Sequence, residues 1–259
     1  MDTIVTQLTN ALRSSRFPVP TAAWMRNFLS GQQLPSASLT PMQLKPLIEA
    51  TRARILASDL TTDGFLDPSC CHSFPLHTSF SAEVAESRIP KEVFVQLMDI
   101  EDLTRSRWDQ VEELEAIERG ETTKGREIIR VPTEADEAMA DGGSNGSNYG
   151  SSRTANSATT AAAAMKSKWN ATHRVVLQDM KGFQVFAIEL SRIEALGVGL
   201  TTIGAKLMIS AGAPIVRGTI LLEPSNCAVL GGGITSWHKK WLNEKKIRLK
   251  EAVSGGSRT

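Results

Sequence analysis

Apolar residues recur over the first 60 positions at the three- and four-residue steps of a helix. Leu8, Ala11 and Leu12 share one face of a short opening helix. Pro18 and Pro20 then break the chain, and Pro20 with Thr21 opens a second helix whose apolar side carries Trp24, Met25 and Phe28. Gly31 stands where a helix ends on a left-handed residue. Thr40, Pro41 and Gln43 form a capping-box pattern with proline at the first helical position. Leu44, Leu47, Ile48, Thr51 and Ile55 follow at helical spacing. Pro46 falls early in that run and predicts either a kink or a true start near Lys45. Residues 61–81, with two prolines and many small polar side chains, predict a linker lying over the surface.

From residue 82 the period shortens to two. Val93, Val95 and Leu97 alternate with Phe94, Gln96 and Met98, a strand apolar on both faces. His173–Gln178 and Gln184–Leu190 predict a hairpin turning at Asp179–Gly182. Lys206–Ser210 is a fourth strand, Gly212–Pro214 a turn, and Val216–Leu222 a fifth strand with Gly218 as a bulge. Asn226–Leu230 is a short last run, ending in a flexible exit at Gly231–Gly233. Trp237, Trp241 and Leu249 then lie on one side of a basic C-terminal helix. Residues 82–100 and 169–234 together give about 85 residues, the size of a five-stranded, partly open Greek-key barrel, the OB-fold. The expected class is therefore α+β: an N-terminal three-helix bundle (1–60), a linker (61–81), and a five-stranded OB-fold β-barrel with a C-terminal helix (82–100 and 169–252). An insertion (101–168) splits the barrel after its first strand.

Composition sharpens the picture of that insertion. Residues 142–167 are small, polar and almost uncharged, and predict disorder. Residues 99–141 hold 14 acids against 6 bases, and residues 235–259 hold 7 Lys/Arg against 2 acids. The net charge of +1 is thus a cancellation between an acidic middle and a basic tail. That balance, with 5% aromatics, excludes a protein that holds nucleic acid by bulk charge or along an extended stacking groove. Three cysteines cannot close a disulfide framework, which points to a reducing compartment. No run of about 20 apolar residues predicts a membrane span.

The runs Val175–Leu190 (VVLQDMKGFQVFAIEL) and Ile203–Gly232, and above all Arg217–Gly232 (RGTILLEPSNCAVLGG) within the latter, resemble the RecQ-mediated genome instability protein 1 family in its N-terminal region. Within Arg217–Gly232 the structural barrel motif rests on Arg217, Gly218, Leu222, Glu223, Pro224, Asn226, Leu230, Gly231 and Gly232. The order of helical module, barrel and insertion agrees over most of residues 1–250, and the chain looks like a short, fungal-type member. The resemblance implies a nuclear, non-catalytic subunit of a complex with a RecQ-family helicase and a type IA topoisomerase III. It also implies assistance to decatenation in double Holliday junction dissolution, with the inserted loop touching the topoisomerase gate. A flexible segment that binds one gate state better than another shifts its population without catalytic groups. Ile128, Ile129, Arg130, Val131 and Pro132 hold the only apolar cluster of the later insertion and are the expected topoisomerase-docking segment.

Other candidates weigh less. Lys239, Lys240, Lys245, Lys246, Arg248 and Lys250 are the expected sites of weak, structure-selective contact with DNA phosphates. Glu112, Glu115 and Glu118 lie three apart on one solvated helix face, opposite Val111, Leu114 and Ile117, with no His or Ser constellation beside them. Cys70, Cys71, His72 and His77 match no common zinc spacing, and Cys227 lies in an apolar strand as an inert thiol. No catalytic residue, metal or cofactor is expected. A free-standing single-strand DNA-binding OB protein is the alternative; its rings would be Phe94, Phe183 and Phe186, which look mostly buried.

Overall fold

The computed structural model describes residues 2–31, 40–75, 77–119 and 171–255. These fall into two compact units, one drawn from residues 2–104 and 171–244, the other from 105–119 and 245–255. Residues 142–167, expected to be disordered, lie outside the described residues.

In the first unit, α1 (Asp2–Ser14), α2 (Ala22–Ser30) and α3 (Pro41–Leu56) form where the apolar spacing places them. The Thr21 hydroxyl accepts the Trp24 N–H at 3.2 Å, satisfying an orphan donor at the start of α2. At the start of α3 the Gln43 side chain reaches back to the Thr40 N–H at 3.2 Å. That cap fixes the helix start at Pro41, so Pro46 sits inside the helix and does not move its beginning.

The sheet follows as β1 (Glu86–Arg88), β2 (Val93–Asp102), β3 (His173–Asp179), β4 (Gln184–Glu189), β5 (Lys206–Ile209), β6 (Pro214–Val216), β7 (Thr219–Leu222) and β8 (Cys227–Gly231). Their order is β1-β6-β7-β4-β3-β2-β5-β8, with only the β4–β7 pair parallel. β1 runs on into β2, and β5 into β6, so the two ends of that order are tied by the chain and the sheet curls. Reciprocal bonds between Ile89 and residues 212–213 bridge the gap in both runs (Ile89 N to Ala213 O, 2.9 Å; Gly212 N to Ile89 O, 2.7 Å).

Eight hydrogen-bonded segments thus stand where five unbroken strands were expected. The clearest correction is at Val216–Leu222. Gly218 is no bulge: Arg217 (φ 45°) and Gly218 (φ 81°) form a two-residue turn that folds β6 back on β7. Positive φ at both central positions is what such a tight hairpin needs. A Cβ at position 218 would also strike the Phe80 carbonyl oxygen.

Two apolar cores lie within this unit. The inner faces of the strands supply Val95, Leu97, Val175, Leu177, Val185, Leu207, Ile220 and Leu222 to one. The helices supply Ile4, Leu8, Leu12, Met25, Leu29, Leu47 and Ile55 to the other, which also takes Phe94 and Met208 from the sheet. Phe94 and Met208 are register partners on β2 and β5. The helices cover the outer side of these two strands, which is why β2 is apolar on both faces.

The expected surface linker does not behave as one. Phe65, Leu66 and Cys71 are buried in the helical core and Phe74 in the sheet core. The Thr21 N–H bonds Phe65 O at 2.8 Å and the Asp67 N–H bonds Val19 O at 2.9 Å, so this segment threads beside the start of α2. Small polar residues here build the turns between buried anchors; Asp67, for one, accepts from both Ser69 N and Ser69 Oγ.

In the second unit, α4 (Arg107–Glu118) and the end of α5 (Thr235–Gly255) bury Val111 and Leu249. Among the described residues, no helix is long and apolar enough to cross a membrane.

Candidate functional site

The most specific stretch of the sequence, residues 217–232, is where the sheet turns and closes. After β7, Asn226 stitches a tight turn: its Oδ1 accepts from Glu223 N at 3.0 Å and its Nδ2 donates to Leu221 O at 3.1 Å. Pro224 and Ser225 are the exposed corner. Leu222 is fully buried, and Leu230 packs against the helical core. Gly231–Gly233 are no flexible exit. The Gly233 N–H bonds Leu56 O at 3.1 Å, and a Cβ on Gly232 would come within 2.5 Å of the Leu56 Cβ. Gly232 (φ 76°) therefore seats the end of β8 on the end of α3.

Buried polar groups tie the same elements together. On β2, Gln96 accepts from Leu60 N (3.0 Å) and donates to Asp59 (2.7 Å) and Gln178 (3.0 Å). Burial pushes Asp59 up, but the Gln96 and Thr61 bonds outweigh it and hold the carboxyl below its ordinary value. Nearby Lys206 is fully buried, bonds the Gly204 carbonyl, and is pushed down to about 8 by desolvation, with Asp59 pulling the other way. His173 and Glu189 meet at 2.7 Å inside the sheet, where Arg192 and Ile193 N bond the second carboxylate oxygen. Those bonds win over burial and keep Glu189 below the usual range. Asp179 accepts from Lys181 N, Phe183 N and Phe74 N, fixing the β3–β4 turn. These groups have satisfied partners within the fold, so they read as fold determinants.

The outward side of the sheet differs. Arg174, Val176, Phe186, Ile188, Leu221 and Val216 face away from the core, with Val176 opposite Phe186 and Ile188 opposite Leu221. Phe186 is 51% exposed and Leu190, just beyond β4, is 61% exposed. The Arg174 guanidinium lies 5.2 Å from the Phe186 ring centroid and pairs with Glu101 at 2.6 Å. Of the three rings expected to be buried, Phe94 is, and Phe183 packs partly into the sheet core; Phe186 is the exception. Both faces of β4 are apolar, and its inward row ends in Glu189, so alternation alone could not tell which side looks outward.

On α5, the indole N–H of Trp241 donates to Asp99 Oδ1 at 2.6 Å, beside the register shift in β2. Its ring stacks on His238. Of the basic residues, Lys239 and Lys240 are exposed, Lys240 standing 3.9 Å from Glu244. Lys246 and Lys250 instead reach Glu115 of α4, at 3.8 and 2.5 Å. The Lys250 hydrogen bond, aided by the charge of Lys246, lowers the Glu115 carboxyl below its ordinary value. Glu115 was expected on a solvated face; the structure pairs it with the expected phosphate ligands. Lys245 and Arg248 are half-buried on the same helix.

Ile128, Ile129, Arg130, Val131 and Pro132 lie outside the described residues. Cys70, Cys71 and Cys227 are free thiols. Burial raises Cys71 to about 11 and Cys227 to about 12, which removes thiolate chemistry at neutral pH. Among the described residues no group of three or more His, Cys, Asp or Glu side chains is placed to hold a metal ion.

A family described as "RMI1, N-terminal OB-fold domain" matches residues 74–245, which takes in the whole curled sheet and the first half of α5. The chain belongs to this family. The curled sheet is accordingly the family's OB-fold. RecQ-mediated genome instability protein 1 of Schizosaccharomyces pombe (strain 972 / ATCC 24843) is 25% identical over 164 residues. The aligned part covers 62% of this chain and 63% of that protein, so the chain spans under two thirds of the length of the curated relative it matches.

Proposed function

We propose that this protein is a non-catalytic, nuclear subunit of a RecQ helicase–topoisomerase III complex. It binds the topoisomerase and stimulates decatenation in double Holliday junction dissolution, and so maintains genome stability. Its family supports that reading, and so does the name of the fission-yeast relative. The observation that carries it is where the OB-fold is interrupted. β2 and β3 are antiparallel neighbours, yet residues 103–172 separate them in the chain. A hairpin connection needs only about 2–5 residues. A protein that must engage a moving gate gains a long reach at that point, with the curled sheet as its base. Ile128–Pro132 is the segment proposed to dock.

Co-purification with a type IA topoisomerase III tests this. Alanine at residues 128, 129 and 131 should reduce capture at least tenfold, and replacing residues 105–170 by a short linker should abolish it. Full capture by both variants overturns the reading. A free-standing single-strand DNA-binding protein is the second reading, favoured by the half-exposed Phe186 ring under the Arg174 guanidinium. Tight oligonucleotide binding lost on Phe186→Ala, with no topoisomerase capture, would favour it.

A further inference from the structure

We propose that Glu115 is an internal stand-in for a nucleic-acid phosphate: it occupies an anion site made by Lys246 and Lys250, and polyanion binding there competes with α4. Lys246 and Lys250 are one helical turn apart on α5, so their ammonium groups leave the helix on the same side. Both converge on one carboxylate, at 3.8 and 2.5 Å. Two ammonium groups gathered on one oxyanion make the coordination that a phosphate diester oxygen takes from lysines.

α4 offers other acids, and they are engaged differently. Glu113 pairs at 2.6 Å with Arg105, just before the start of its own helix. Asp109 and Glu112 point to solvent. The half of α5 that holds Lys246 and Lys250 thus has its charge answered by a helix that belongs to the insertion. An acidic helix placed this way sets a threshold. Phosphates of a flexible strand must displace Glu115 before they gain the two lysines, so binding of a polyanion and release of α4 are linked by the same free energy. The inference is independent of the topoisomerase reading, because it concerns a different ligand and different residues.

The test is fluorescence anisotropy of the full chain with a labelled 30-nucleotide oligo-dT, at 50 and 200 mM NaCl. Glu115→Gln keeps the side chain's shape and removes its charge. It should tighten binding about three- to tenfold at 50 mM salt, and steepen the salt dependence as the freed lysines displace counterions. Glu113→Gln makes the same change in net charge and should leave affinity within about twofold. Adding Lys246→Ala and Lys250→Ala to Glu115→Gln should return affinity to the wild-type value or below. The proposal fails if Glu115→Gln binds like the wild type. It fails equally if Glu113→Gln tightens binding as much, or if the triple variant keeps the gain.

Discussion

The sheet and the three N-terminal helices bury their apolar side chains in different ways. The sheet core draws on strands that curl round and meet each other, with loop residues such as Ile193, Leu196 and Ile203, and with Phe74 and Trp241 of α5. The helical core is assembled from pieces: three short helices, the segment Leu60–Cys71, and Phe94 and Met208 from the outer side of β2 and β5. A helix of 9 residues such as α2 is too short to be stable alone. The helices therefore need the sheet as a wall, while the sheet has its own interior. Regions that look like two modules along the chain have unequal independence.

Paired truncations should break this comparison if it is wrong. Leu177→Ala in the sheet and Phe65→Ala in the helical core should each cost about 3–5 kcal/mol. Their consequences should differ in amide hydrogen exchange. Leu177→Ala should lower protection in α1 and α3 as well as in β2–β4, whereas Phe65→Ala should open the helices and leave β3 and β4 protected. Equal loss in the sheet from both variants would mean the two cores fold as one.

The seam between them should be the next most sensitive place. Gly232→Ala places a Cβ against Leu56 in left-handed backbone, and should cost about 2–4 kcal/mol by urea denaturation. Gly212→Ala is the control: its φ is 87° but open space surrounds it, so the cost should be confined to backbone strain, about 1 kcal/mol.

Lys206 offers a pH-dependent probe of the same seam. Its pKa falls from an ordinary 10.5 to about 8 on folding. Between pH 8 and 10.5 the unfolded chain binds the extra proton, so this group makes the folded state more stable as pH rises through that window. Lys206→Met should stabilise by about 1–2 kcal/mol at pH 7, and the advantage should shrink by pH 10. The raised thiols of Cys71 and Cys227 erode stability above pH 9 in both proteins and cancel in the difference. An advantage that stays constant or grows with pH would show that Lys206 is not held in a desolvated site.

The smallest effect should come from the exposed pair Arg16–Glu92, which meets at 2.6 Å between the end of α1 and the approach to β2. Both groups reach solvent, so Arg16→Ala should cost under about 1 kcal/mol and less in high salt.

Much of this architecture could be read from local chemistry. Thr21, the Thr40/Gln43 cap, the strand at His173–Gln178 and the turn at Asp179–Gly182 each act over a few residues, and each appears where expected. What escaped were features decided at long range. Phe65 and Leu66 sit in a polar stretch and are buried only because the helices and sheet close over them. Arg217 gives little hint of positive φ; the turn is imposed by the antiparallel pairing on either side. The same holds for Phe186, whose exposure depends on which side of β4 faces the interior of the curled sheet. Glu115 looked solvated because its partners lie more than 130 residues away in the chain.

The gap between β2 and β3 has a consequence for how the chain can change over time. Closing a connection grows costlier only with the logarithm of its length, about 0.6 kcal/mol per doubling. β2 and β3 are already separated by residues 103–172, a chain length far along that logarithmic curve. Twenty residues added or deleted between Glu118 and Thr172 would alter the cost by a few tenths of a kcal/mol, far less than one misplaced side chain at Gly232. The fold therefore leaves the length of this connection almost free, while the glycine that seats β8 against α3 is held to a single choice.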